Sequence, residues 1–213
     1  SSNLADGLVK DPQKASLYGK TLMKESTRLA GMIDSLLIYA GIDERAINAS
    51  SPFDLAKLVD DRIKAFDEDF GQNGIEVEKR LLGPVPVRAD YDAIGIVIRN
   101  LLANVLKHAK AGYYVSIAVH QTARGATLRV SDRGPGIPRR EQQEVFKPFF
   151  RGQRALESQI SGCGIGLNLV WRIVKAHHGK LVLESSSKGT TIIITLPMEK
   201  QNESEDQNTH YRG

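Results

Sequence analysis

Apolar positions recur at helical spacing in three stretches and alternate in several others, so the chain predicts a mixed α/β domain behind a long helix. Residues 14–40 place Leu22, Leu29, Ile33, Leu36, Leu37 and Ala40 on one stripe, with Lys24, Glu25, Thr27, Arg28 and Asp34 opposite. A helix with one sticky stripe needs a partner, either a hairpin mate or a second chain. GIDERAINASSP, residues 41–52, reads as a linker. Ser51-Pro52-Phe53-Asp54 reads as a helix start, with the helix running to about Phe70. Strands follow at Ile75–Glu78 and, weakened by prolines, at Pro84–Ala89. Residues 91–109 carry a strong helix. Tyr114–Gln121 and Ala126–Ser131 alternate as a hairpin around Arg124-Gly125. Residues 133–163 are irregular, Ile165–His178 are helical, and two last strands flank Lys188-Gly189. The polar tail lacks periodicity and is expected to be loose.

Composition narrows the classes. The 213 residues carry Lys+Arg 29 against Asp+Glu 25, a formal charge of +4, with the signs interleaved. That pattern suits a soluble domain with an anionic ligand rather than an obligate nucleic-acid binder. The longest wholly apolar run, about Leu36 to Ile42, is far short of the ~20 residues of a membrane span. The first residues show no basic-then-apolar leader pattern. A single cysteine, Cys163, excludes an internal disulfide or a cysteine-based zinc cluster and fits a reducing, cytoplasmic setting.

Candidate chemistry gathers in three places. On the helix of residues 91–109, at ~100° per residue, Asn100, Asn104, Lys107 and His108 share one side while Ile94, Ile98, Leu101, Leu102 and Val105 share the other. An amide oxygen is a hard Mg²⁺ ligand and a nearby lysine favours phosphate; a solvated basic face is the equally good alternative. In SDRGPGIP, Asp132 ends a strand, and Gly134 and Gly136 allow a ligand close to the backbone; an ordinary turn explains the same residues. In GCGIGLNLV, Gly162, Gly164 and Gly166 open onto a helix N-terminus suited to polyphosphate, although the same glycines make a flexible joint. No Gly-Lys-Ser/Thr follows, so this is no Walker loop. Between the last two lies RREQQEVFKPFFRGQRALESQI, where Phe146, Phe149 and Phe150 anchor a segment that reads as a lid.

Taken in this order, RNLLANVLKHAK, DRGPGIP, VFKPFFRG and GCGIGLNLV resemble the N box, first glycine box, F box and second glycine box of sensor histidine kinases, and KGTTIIITLP resembles their closing strand segment. LMKESTRLAGMIDSLLIYAGI resembles the second helix of that family's dimerisation hairpin. The resemblance implies an α+β fold: a two-layer sandwich, its mixed sheet covered by helices on one face, behind a long hairpin helix. It implies a partial hairpin at residues 1–46, an ATP-binding catalytic domain at 47–199 and a flexible tail at 200–213. ATP and Mg²⁺ are the implied ligands, with Asn104 on the metal and Lys107 and His108 at the phosphates. Asp132 would read the adenine amine. Asn100, Gly134, Gly136, Ile137, Arg151, Gly162, Gly164, Gly166, Leu167 and Thr190 would line the nucleotide. A response regulator and a second copy of the chain are the implied protein partners. Membrane contact is expected only through segments outside this chain, as in the cytoplasmic part of an inner-membrane receptor.

One departure stands out. The family's phosphoacceptor histidine lies on the first hairpin helix, yet the histidines here are 108, 120, 177, 178 and 210. SSNLADG resembles the end of that first helix, so a truncated chain that binds ATP without labelling itself is expected. His177 and His178 read as cations at a helix C-terminus. Two alternatives use the same motifs: an ATP hydrolase related to gyrase and the ninety-kilodalton heat-shock chaperone, and a non-catalytic ATP-binding or dimerisation module. Against the hydrolase stands Asn100, where those enzymes resemble this helix but carry a glutamate base; an amide takes no proton at neutral pH.

Overall fold

The computed structural model describes residues 14–23, 26, 33, 51–109, 112–158 and 162–197. The chain divides into two units, Ser1–Ile42 and Asp43–Gly213. In the first, residues 14–23 are helical (α1), and Thr21 Oγ1 donates back to Leu17 O at 2.9 Å. Leu17, Leu22 and Ile33 are exposed there. The expected stripe positions Leu29, Leu36, Leu37 and Ala40 lie outside the described residues, as does the tail after residue 197.

The second unit is an α+β sandwich. Its main sheet runs β2-β4-β5-β7-β6, built from β2 (Glu76–Leu81), β4 (Tyr114–Thr122), β5 (Gly125–Asp132), β6 (Lys180–Ser186) and β7 (Gly189–Leu196). β2 lies parallel to β4; all other pairs are antiparallel. Alternation puts Val115, Ile117, Val119, Leu128, Val130, Ile192 and Ile194 on one buried face. Register aligns them, with Val119 opposite Leu128 and Leu128 opposite Ile194. Helices α2 (Leu55–Lys64), α4 (Tyr91–His108) and α6 (Gly166–Ala176) supply the opposing apolar stripes, including Leu58, Ile63, Ile98, Leu102, Leu169 and Ile173. Two short helices, α3 (Asp67–Gln72) and α5 (Gln153–Glu157), complete the set.

The expected helix start at Ser51 is corrected. Pro52–Asp54 form strand β1, which pairs with β3 (Pro86–Arg88) in a two-stranded sheet of its own. Helix α2 begins at Leu55 because Asp54 Oδ1 accepts from Ala56 N at 3.0 Å, and the same oxygen takes Val85 N at 2.9 Å. The helix does not reach Phe70 unbroken. It ends at Lys64, Phe66 N bonds to Ile63 O, and α3 starts afresh. The reading of His177 as a dipole-stabilising cation is also corrected. Its Nδ1 donates to Ile173 O at 2.8 Å and its Nε2 accepts from Asp90 N at 2.9 Å. A ring with one donor and one acceptor nitrogen is neutral.

Candidate nucleotide site

α4 divides into two faces as its spacing requires. Leu101, Leu102 and Val105 are buried, Asn100 and Asn104 are half-buried, and Lys107 and His108 face solvent. Asn100 Nδ2 donates to Ile96 O at 2.9 Å, which leaves Oδ1 aimed at Gly166, the first residue of α6. A β-carbon on Gly166 would sit 3.0 Å from that oxygen, so glycine spares the Asn100 side chain a shift of a few tenths of an ångström there. Among the described residues no side chain caps α6, which leaves its first amides without a side-chain acceptor beside Asn100. Much of the His108 residue is solvent-exposed, but the protein packed around its ring pushes its pKa down, followed by Lys107 and Arg151. Lys107 and Arg151 thus share one electropositive neighbourhood with His108, an arrangement that suits phosphate.

The opposite wall grows from the end of β5. Asp132 Oδ1 accepts from Gly134 N at 2.7 Å and from Thr190 N at 3.3 Å. Among the described residues its Oδ2 takes no hydrogen bond. Burial raises the Asp132 pKa, and the two backbone donors offset part of that rise. Such a carboxylate is short of donors, and an exocyclic amine supplies one. Gly134 packs on Ala109 at the end of α4, where a β-carbon would come 2.9 Å from Ala109 Cα. Gly189, at φ 137°, fits because any β-carbon would run into the Asp132 carbonyl oxygen.

Sequence reasoning missed three residues: Ser185 and Gln142, which hold this wall, and Asn168, which holds the neighbouring phenylalanine segment. Ser185 Oγ accepts from Ile137 N at 2.8 Å and lies 2.9 Å from Thr190 Oγ1. Gln142 Nε2 donates to both Ile137 O and Ser185 O at 3.0 Å. Asn168, buried in α6, donates from Nδ2 to Phe146 O at 2.6 Å and so pins the phenylalanine segment. Its one usable signal is a polar residue inside the apolar run LNLVWRIV; Ser185 and Gln142 carry no such mark.

The segment from Phe146 to Gly164 is held differently. Gly164, at φ 72°, nestles against the Phe149 and Phe150 backbone. Phe149 is 61% exposed. Arg154 Nη1 reaches Pro135 O at 2.9 Å, Arg140 reaches Gln153 at 2.7 Å, and Arg151 lies 3.4 Å from Ala155 O. Leu167 is half-buried in the first turn of α6, and Gly162 has open space around it. Asp132, Gly134, Gly136, Ile137 and Thr190 are thus joined by contacts around Ser185, Asn100 and Gly166 lie against one another as a separate pair, and Lys107, His108 and Arg151 are linked by their fields; among the described residues no hydrogen bond ties Asn104 to any of them.

Residues 89–200 match the model of the histidine kinase-, DNA gyrase B- and HSP90-like ATPases. The chain belongs to that family. Its histidine-kinase branch is marked by relatives: the probable sensor histidine kinase TcrY of Mycobacterium tuberculosis is 31% identical over 192 residues, 89% of this chain and 40% of TcrY. The signal transduction histidine-protein kinase BaeS of Escherichia coli is 29% identical over 182 residues, 84% of this chain and 39% of BaeS. This ATPase domain with its preceding helical segment therefore spans about two fifths of the length of these curated relatives. The solved mycobacterial sensor histidine kinase MprB is 30% identical with a TM-score of 0.59, over 69% of this chain and 96% of that one. The Acinetobacter baumannii histidine kinase AdeS shares the fold at a TM-score of 0.74, with 22% identity, over 93% of this chain and 91% of that one. No helix among the described residues is long and apolar enough to cross a membrane.

Proposed function

We propose that this chain is the nucleotide-handling part of a cytoplasmic sensor histidine kinase module, passing the ATP γ-phosphate to a histidine outside residues 1–213. That acceptor would then hand the group to a response-regulator aspartate. In this reading residues 1–46 supply part of a dimerisation hairpin, 47–199 the catalytic domain and 200–213 a polar tail. The carrying observation is the Asp132 carboxylate, desolvated and with Oδ2 unbonded among the described residues, at the end of a glycine-shaped wall. It reads the adenine amine, with Thr190, Gly134, Gly136 and Ile137 around the base. Gly162, Gly164, Gly166 and Leu167 form the hinge and the phosphate cradle. Lys107, His108 and Arg151 neutralise phosphate charge.

Mg²⁺ fits the donor set. No group of three His, Cys, Asp or Glu residues able to hold a metal exists among the described residues. A metal here must therefore take most of its oxygens from phosphate and water, which is the habit of Mg²⁺, with Asn104 Oδ1 as the protein ligand. When bound, the ion shields charge on the transferring phosphoryl group. The protein's part is positioning: the acceptor imidazole nitrogen forms its bond to Pγ as the bond to the ADP oxygen breaks, and the imidazole N–H proton is lost to solvent.

Hydrolysis is disfavoured by Asn100, whose Nδ2 is spent on Ile96 O and whose amide oxygen cannot serve as a general base near neutral pH. Self-labelling lacks an acceptor on the hairpin, which carries no histidine. His108 sits on the site's own wall, His120 lies in β4, His177 uses both ring nitrogens, His178 follows it, and His210 lies in the tail outside the described residues. Calorimetry tests the ligand assignment: Asn104→Ala should remove most of the Mg²⁺ enhancement of ATP binding and leave metal-free ADP affinity within about threefold, since one amide ligand is lost and no adenine contact. An unchanged Mg²⁺ effect would move the metal ligand elsewhere.

A further inference from the structure

Helices α4 and α6 touch at two points that run in opposite chain directions. Asp90, at the start of α4, meets His177, at the end of α6. Asn100, ten residues on, meets Gly166, eleven residues back. At 1.5 Å rise per residue these spans are about 15 and 16 Å, so the two contacts form a matched ruler along an antiparallel helix pair. The second contact sits where α6 opens its uncapped amides beside the amide-bearing face of α4. The first is a part-buried hydrogen bond: His177 itself is 7% exposed, its Nδ1–H is fixed by Ile173 O within α6, and its Nε2 lone pair is thereby aimed at the amide of half-buried Asp90. Ile173 and Val174, fully buried, pack the space between.

We propose that His177 is a positioning residue for nucleotide binding: as a neutral Nδ1–H imidazole it sets the register of α6 against α4, and so the placement of the α6 N-terminus against Asn100 at the far end. The inference rests on the nucleotide-site reading above for its functional consequence, but not for the register itself. The ring does two separable jobs. The local bond to Ile173 O orients it. The bond from Asp90 N joins the helices. An asparagine amide reaches as far as Nδ1, so His177→Asn keeps the local bond and loses the tie. A glutamine carbonyl reaches as far as Nε2, so His177→Gln keeps an acceptor for Asp90 N.

The test uses the full 213-residue chain and three readouts. In the wild type, ring ¹⁵N signals at pH 7 should show the neutral Nδ1–H tautomer; the Nε2–H tautomer or the cation would overturn the proposal. Without nucleotide, the Gly166 backbone amide and Asn100 side-chain amide signals should stay in place for His177→Gln and shift for His177→Asn. ADP affinity should fall about tenfold for His177→Asn and less than about twofold for His177→Gln, the interhelical bond being lost in one and kept in the other. Equal ADP affinities in the two variants, or equal shifts at Gly166, would reduce His177 to a packing group and overturn the assignment. A wild type that binds no ADP would sink the nucleotide reading, while the tautomer and the Gly166 signal would still decide the register claim.

Discussion

The wall around Asp132 and the segment from Phe146 to Gly164 face the same site but are built by different forces. The wall is laced by backbone amides onto half-buried side chains, Gly134 and Thr190 onto Asp132 and Ile137 onto Ser185, and by the half-buried Gln142 side chain donating to two backbone carbonyls. Removing any partner strands a polar group with little water to replace it. Among the described residues, the segment is tied by one buried amide, Asn168, by the packing of Gly164 against the Phe149 and Phe150 backbone, and by exposed arginine contacts that water can substitute. The nucleotide site proposed above, reading a base on one side and admitting a triphosphate on the other, would need this inequality. The wall must not move, and the cover must.

The largest effect should come from the wall backbone. Gly189→Ala forces a side chain into the Asp132 carbonyl at a φ that L-residues rarely adopt, and should cost about 3 kcal/mol or more in urea unfolding and abolish ADP binding. A stable, binding-competent variant would mean the wall yields as readily as the cover.

Asp132→Asn should separate binding from stability. Affinity for ADP should fall roughly ten- to a hundredfold, because an amide presents a donor where the adenine amine also donates. Stability at pH 7 should hold or rise. A carboxyl whose pKa is raised in the folded state favours folding only while protonated, and that contribution is lost as pH rises through the folded pKa. Binding has the opposite slope. The amine prefers the ionised form, so wild-type affinity should decline as pH falls through the raised pKa, starting above the ordinary aspartate value of about 3.9. The Asp132→Asn protein should lack that limb.

The smallest effect belongs to the cover. Within residues 51–197 trypsin should cut first after Arg154, in the short exposed helix α5, and ADP should slow that cut severalfold while leaving the Arg133 bond of the wall resistant throughout. First cleavage at Arg133 would reverse the comparison.

The same contrast explains what the sequence disclosed. Helices α4 and α6 and the β4–β5 hairpin were legible within a residue or two, because each has a local period and a local stop: Asp90 and Ala109 for α4, Arg124-Gly125 for the hairpin. The sequence reads Gly134 and Gly136 as places where a ligand approaches the backbone, whereas the crowding there is the protein's own: a β-carbon would come 2.9 Å from Ala109 Cα at Gly134 and run into Ser186 O at Gly136. Long-range pairing was not legible. Nothing near Pro52 announces that Pro86–Arg88 will lie beside it, so a capping signature at Asp54 was read three residues early. His177 looked like a C-terminal cation until its partner, Asp90, came from the start of another helix. Ser185 sat unnoticed in a serine run because its donor, Ile137, is distant in sequence.

The central claim is that this chain holds ATP for transfer to a histidine it does not contain. Incubating the 213-residue chain with γ-labelled ATP and Mg²⁺, alone and with a separate helical fragment bearing the acceptor histidine, tests it directly. The account predicts no label on the chain alone and acid-labile, alkali-stable phosphohistidine on the added fragment, lost with Asp132→Asn. Stoichiometric labelling of the chain itself, or steady release of phosphate with no label on the fragment, would contradict it.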